Sequence, residues 1–120
     1  MKLNDNCCTI VPYFNVAMGH IDDFKALGEK FVEKTQDEEK CLFYGFSFHG
    51  GIAHCREGYA DAEGVLAHLE NVGELLQQAL EISELSRFEI HGPRKELEKL
   101  RGPLASLNPD FYELEIGFRK

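Results

Sequence analysis

Cys55-Arg-Glu-Gly-Tyr-Ala-Asp-Ala-Glu-Gly-Val-Leu-Ala-His-Leu-Glu-Asn-Val72 is where the chain passes from strand to helix. Up to Tyr59 the stretch reads as the end of a strand. Asp61 then supplies a helix N-cap, and Glu63 places a negative charge in the first turn, where the helix dipole favours it. Beyond that cap Val65, Leu69, Val72 and Leu76 recur at helical spacing. His68 comes three residues after Val65 and four before Val72, so it flanks the apolar stripe instead of facing water. Gly64 and Gly73 weaken the helix, and Gly73 marks a bend or break before residues 74–81.

Working back from this passage, Ile52–Tyr59 is a strand, and Gly50-Gly51 makes a two-residue hairpin turn from Cys41-Leu-Phe-Tyr-Gly-Phe-Ser-Phe48. In that hairpin His49 opposes Ile52, Ser47 opposes His54 and Gly45 opposes Arg56, and directly opposed side chains share a face. One face therefore carries His49, Ser47, His54 and Arg56, with Phe43 and Ile52. The other carries Phe48, Phe46, Tyr44, Cys55 and Glu57. Both faces want cover, and the chain's own helices can roof only one, which leaves the other to a second subunit.

Further upstream, residues 8–17 read as a strand rich in β-branched and aromatic residues, with Pro12 favouring an edge position or a bulge. Ile21, Phe24, Leu27, Phe31 and Val32 then form a helical stripe ending near Gln36. Downstream, residues 83–91 form a strand with Phe88 and Ile90 on one face and Arg87, Glu89 and His91 on the other. Residues 94–101 read as a short helix, opened by Pro93 and closed by Gly102-Pro103. Residues 111–119 read as a last strand, with Tyr112, Leu114, Ile116 and Phe118 on one side. The order is β-α-β-β-α-β with an added helix and strand: one α+β, ferredoxin-like domain over residues 1–120.

Composition narrows the function classes. At 43% hydrophobic and 28% charged the chain is globular, and its net charge of −8 argues against nucleic-acid or anionic-membrane partners. No run reaches the roughly 18 apolar residues of a membrane span, and residues 1–5 lack a signal-peptide core. A cytoplasmic location is expected, and it suits four cysteines read as reduced, half-buried thiols without C-x-x-C spacing.

The segment Glu57-Gly-Tyr-Ala-Asp-Ala-Glu-Gly-Val-Leu-Ala-His68 resembles the strand-to-helix passage of the antibiotic biosynthesis monooxygenase (ABM-like) domains, and the element order over residues 8–118 matches theirs. The resemblance implies a homodimeric α+β barrel in which two sheets pack face to face. It also implies a quinol or polyketide monooxygenase that uses no metal or flavin cofactor, or a domain without known activity. The haem-degrading branch, which relies on a pocket tryptophan, is disfavoured because the chain has no Trp.

Such an oxygenase needs an apolar cavity for an electron-rich aromatic, a base to form its anion, and donors to hold that charge. His68 is the candidate base, since imidazole titrates near neutrality. His54, Ser47 and Arg56, if helix-facing, are candidate substrate-binding groups, with Tyr13 or Asn15 adding a hydrogen bond. Glu57 reads as a strand-end carboxylate bonded to local backbone or to Arg56, and Asp22-Asp23 and residues 37–39 as solvated faces. His49 and His54 lie diagonal on one face but lack a third ligand of clear spacing, so no metal site is expected. The alternative function is a non-catalytic small-molecule-binding or regulatory domain on the same scaffold. Filling of the space beneath His68 by Phe43, Leu69 and Leu75 would remove the substrate site.

Overall fold

The computed structural model describes residues 5–120; the Met1–Asn4 part of the stretch read for a signal peptide lies outside them. The chain runs β1 (Cys8–Val16), α1 (Ile21–Thr35), β2 (Cys41–His49), β3 (Ile52–Tyr59), α2 (Ala62–Asn71), α3 (Gly73–Glu81), β4 (Ser83–Gly92), α4 (Arg94–Leu97), a 3-10 turn (Ala105–Leu107) and β5 (Asp110–Glu113). One sheet of order β2-β3-β1-β4-β5 results, antiparallel except for the β4–β5 pair. This is the ferredoxin-like βαββαβ arrangement with its two additions.

The hairpin register is the one that the Gly50-Gly51 turn dictates: His49 pairs with Ile52, Ser47 with His54 and Gly45 with Arg56. Gly50 sits at φ +57, a conformation glycine adopts without steric cost. At Gly58 a Cβ would collide with the Phe43 ring, so the missing side chain is what lets that ring lie across the strand. Arg56 in turn stacks its guanidinium over Phe43, 4.4 Å from the ring centroid.

Helices cover one face of the sheet. On it Cys8, Ile10, Tyr59, Val65, Ile90, Leu97 and Leu100 form one buried cluster, and Phe14, Phe24, Phe31, Val72, Leu75 and Ala79 form a second. On the other face Tyr13, Asn15, Phe43, Ser47, Ile52, His54 and Arg56 are half-buried or exposed. The helix break falls at Gly73, as its sequence indicates. All four cysteines are free thiols, buried or half-buried, and burial pushes Cys8 up to about 12 and Cys41 to about 11.

Three expectations need correction. Of the two alternatives that Pro12 left open, the edge position is ruled out, since β1 lies between β3 and β4, and a bulge occurs one residue on, at Tyr13/Phe14 against β4. The pairing of β1 with β3 skips Val11 and Pro12, and the carbonyl left there is met by the His54 imidazole, which donates from Nδ1 to the Pro12 carbonyl at 2.8 Å while its ring stacks on Tyr13 at 4.4 Å. Replacing His54 by Phe keeps the stacking and strips the donor. It should cost about 1–3 kcal/mol, the range for an orphaned buried acceptor, in denaturant unfolding. Second, the helix after Pro93 stops at Leu97 and continues as turns that still bury Leu97 and Leu100. Third, the last strand pairs only over Asp110–Glu113, and Ile116 and Phe118 lie exposed beyond it.

Candidate active site

α2 is held at its N-terminus by two carboxylates. Asp61 accepts from the Gly64 amide at 2.9 Å, and the buried Glu96 accepts from the Ala62 amide at 2.9 Å. That anchoring fixes His68, one and a half turns along, on the helix face that meets the sheet, where it is 3% exposed. Its ring leans on Tyr44 and Tyr59, each 5.1 Å away between centroids.

The imidazole lies between two carboxyl groups. Nδ1 is 2.9 Å from Glu38 Oε2, and the Asn71 side-chain amide donates to the same oxygen at 2.8 Å. Asn71 also donates to the Lys34 carbonyl at 3.1 Å, tying the end of α2 to the end of α1 and holding Glu38 in place. An ionised carboxylate only accepts, so Nδ1 carries the proton and Nε2 presents its lone pair. Nε2 points to Glu57 Oε1 at 3.6 Å, too long for a direct hydrogen bond.

Glu57 faces the same interior because strand alternation puts it beside Cys55 and Tyr59, opposite Tyr44. It does not reach Arg56, which points to the other side; its partner is the Tyr59 hydroxyl, which donates to Oε1 at 2.6 Å. Burial drives the Glu57 carboxyl up to about 7 against the pull of hydrogen bonds from Tyr59 and Cys55. Burial also lowers the His68 pKa and favours the neutral ring, while the Glu38 carboxylate works in the opposite sense. Glu38→Gln should therefore lower the His68 pKa further, as read by NMR titration of the ring.

His68 and Glu57, with Tyr44 and Cys55, lie on the wall of a mostly apolar pocket between the two core clusters. Phe14, Phe24, Phe31 and Phe46 line it from one side, Ile10 and Pro12 from the sheet, and half-buried Leu76, Leu85, Phe88 and Leu107 elsewhere. Phe43 is absent from the lining, since it belongs to the opposite face; Leu69 contributes. The free volume is about 40 Å³, room for water but not for an aromatic ring, so a ligand has to displace part of the lining.

His68 is thus the only one of the six residues singled out from sequence that lines this pocket. His54, Ser47, Arg56, Tyr13 and Asn15 gather on the opposite face, where the sheet itself separates them from His68. Glu38 was read as solvated within residues 37–39, yet it is half-buried against His68 while Asp37 and Glu39 are exposed. Among the described residues no group of three or more His, Cys, Asp or Glu side chains is placed to hold a metal ion. No described helix is long and apolar enough to cross a membrane.

Comparison with known proteins adds to this geometry. No family profile and no curated sequence matches the chain. Among solved structures, MupZ from Pseudomonas fluorescens superposes with a TM-score of 0.95 at 48% identity, covering 100% of this chain and 94% of its own. A Nitrosomonas europaea protein provisionally named an antibiotic biosynthesis monooxygenase matches at TM-score 0.69 and 13% identity, over 78% of this chain and 96% of its own. A further antibiotic biosynthesis monooxygenase matches at TM-score 0.61 and 19% identity, over 69% of this chain and 92% of its own. The last two similarities are of fold.

Proposed function

The chain belongs to the family of MupZ, with the fold of ABM-like proteins, and on that premise we propose that it is an enzyme that oxygenates a phenol- or quinol-like small molecule without a bound cofactor. The observation that carries this reading is an acid–base cluster, Glu38–His68···Glu57, buried on the wall of an aromatic-lined pocket. His68 Nε2 takes the proton of the substrate hydroxyl, and the imidazolium formed is held by Glu38 on its far side. The phenolate surrenders electrons to O2 far more readily than the phenol. The overall change, phenol plus O2 giving quinone plus water, balances without another reductant: one oxygen atom becomes the new carbonyl, the other leaves as water. Glu57, near 7, takes up or returns a proton as the oxygen is reduced.

Oxygen uptake across a panel of phenols and quinols, with quinone formation followed from 18O2, tests the proposal. Uptake with one labelled oxygen in the product is expected. Tight binding of panel members without uptake would overturn it in favour of the binding module.

We further infer that a second copy covers the open sheet face. Phe43 and Tyr13 are half-buried there and Ile52 exposed, more apolar surface than a wet antiparallel face normally carries. Sedimentation equilibrium should show a dimer; a monomer at tens of micromolar, roughly the range where weak pairs dissociate, would contradict this.

A further inference from the structure

The pocket wall is polar on one side only. Its polar side chains, Tyr44, Cys55, Glu57 and His68, stand on β2, β3 and α2. From β1 onward the wall is apolar: Pro12 pairs with Phe88 and Phe14 with Leu85 through their strands, and α3 adds Leu76. From β3 to β4 is two strand spacings, about 10 Å. A polar group on a ligand finds partners at the first end, whereas at the second it would be buried without one.

The apolar end is also where the wall can yield. Leu76, Leu85, Phe88 and Leu107 are half-buried there, while Ile10, Phe14, Phe24 and Val72 farther in are buried. Leu107 is the lining residue carried neither by the sheet nor by the α1–α3 layer. It sits in the 3-10 turn between Pro103 and Pro109, and Asn108 after it holds φ +51. Among the described residues, the backbone bonds donated here are short-range: Leu104 to Leu100, Ala105 to Gly102, Leu107 to Leu104 and Asn108 to Ala105. Leu104 is 2% exposed and pins the base of the turn. Swinging Leu107 outward therefore gives up local bonds that water replaces, and breaks no sheet ladder. Moving any other part of the wall disrupts a paired strand or a packed helix.

We propose that the ligand of this pocket is an amphiphile, a phenol- or quinol-like head with an apolar tail, which lies with its hydroxyl at His68 and its tail across β1 toward β4 and is admitted by outward movement of the turn carrying Leu107. This rests on the substrate site proposed above and adds the ligand's shape, orientation and route. The tail takes the space that Leu107 leaves, so the turn stays displaced in the complex. Displacement is needed because the closed pocket has only about 40 Å³ free.

NMR of wild type and Leu107→Ala with para-hexylphenol as the probe tests the proposal. Expected are intermolecular NOEs from the tail methyl to Leu76, Leu85 and Phe88, and from the ring to His68 and Tyr44. The Leu107 and Asn108 amides should exchange faster in the complex, with those of β1 and α2 unchanged. Line shapes should show association at least about tenfold faster in Leu107→Ala, where the plug is gone. The wild-type readouts decide the matter even if that variant folds poorly. A tail lying against Phe24 and Phe31, turn amides unchanged on binding, or no binding up to about 10 mM would each overturn the proposal. Binding in the stated orientation without oxygen uptake would uphold it and overturn the oxygenation.

Discussion

Replacing His68 by alanine is expected to lower the oxygenation turnover number by about 10²- to 10⁴-fold, the usual contribution of a positioned general base. Among the described residues the imidazole is the one nitrogen base on the pocket wall, and Glu38 fixes its tautomer so that Nε2 faces the ligand space. Apolar side chains make up most of the lining, so ligand affinity should change far less than turnover. Glu38→Gln leaves the imidazole in place and weakens only its orientation and its cation, so a smaller loss is expected there. Because burial lowers the His68 pKa, the acid limb of the wild-type rate profile should have its midpoint below 6.5. Initial rates of oxygen uptake between pH 5 and 8 measure both effects, the range being about that in which imidazole titrates. Full activity in the alanine variant would remove His68 from the chemistry.

Glu57→Gln should raise stability above pH 7 while it damages function. The Glu57 carboxyl is driven from 4.5 up to about 7 in the folded chain. Below pH 4.5 it is protonated folded and unfolded alike, and the shift has no effect. Between 4.5 and 7 the folded state keeps a proton that the unfolded state gives up, so stability falls as pH rises. Above 7 the loss is complete, about 3 kcal/mol at 1.36 kcal/mol per pKa unit. Glutamine keeps an acceptor for the Tyr59 hydroxyl and carries no charge to desolvate. Its stability curve should part from wild type across this window and lie about 3 kcal/mol above it at pH 8. His68 acts in the opposite sense, its depressed pKa costing stability as pH falls through 6.5, but it is present in both proteins. Urea unfolding at pH 4.5 and 8 gives the difference directly; parallel curves would show that Glu57 titrates as an ordinary carboxyl. A gain in stability bought with lost activity is the mark of a strained functional group.

Much of this architecture follows from short-range chemistry that a single sequence displays. The Gly50-Gly51 turn sets the hairpin register, and strand parity then sorts Ser47, His54 and Arg56 from Tyr44, Phe46, Cys55 and Glu57. The Asp61 cap and the break at Gly73 are equally local. What parity does not reveal is which face the helices take. That placement separated His54, Ser47, Arg56, Tyr13 and Asn15 from His68, and it put Glu57 inside. The signal for Glu57 was its position on an otherwise aromatic face, where a carboxyl has no water. Glu38 carried no such sign. It sits in an acidic run and is distinguished only by Asn71 and His68 folding against it from 33 and 30 residues away. The central position of β1 was hidden for a similar reason, since the gap at Pro12 in the pairing with β3 is bridged by the His54 side chain from that neighbouring strand.

The proposed chemistry depends on the Glu57 carboxyl keeping its proton up to about pH 7 beside His68, in a pocket lined mostly by apolar side chains. Carbon-13 NMR titration of the Glu57 side-chain carboxyl in the folded protein tests this most directly. Burial of the carboxyl predicts a midpoint raised to about 7. A midpoint near 4.5, the value of a solvated glutamate, would contradict it.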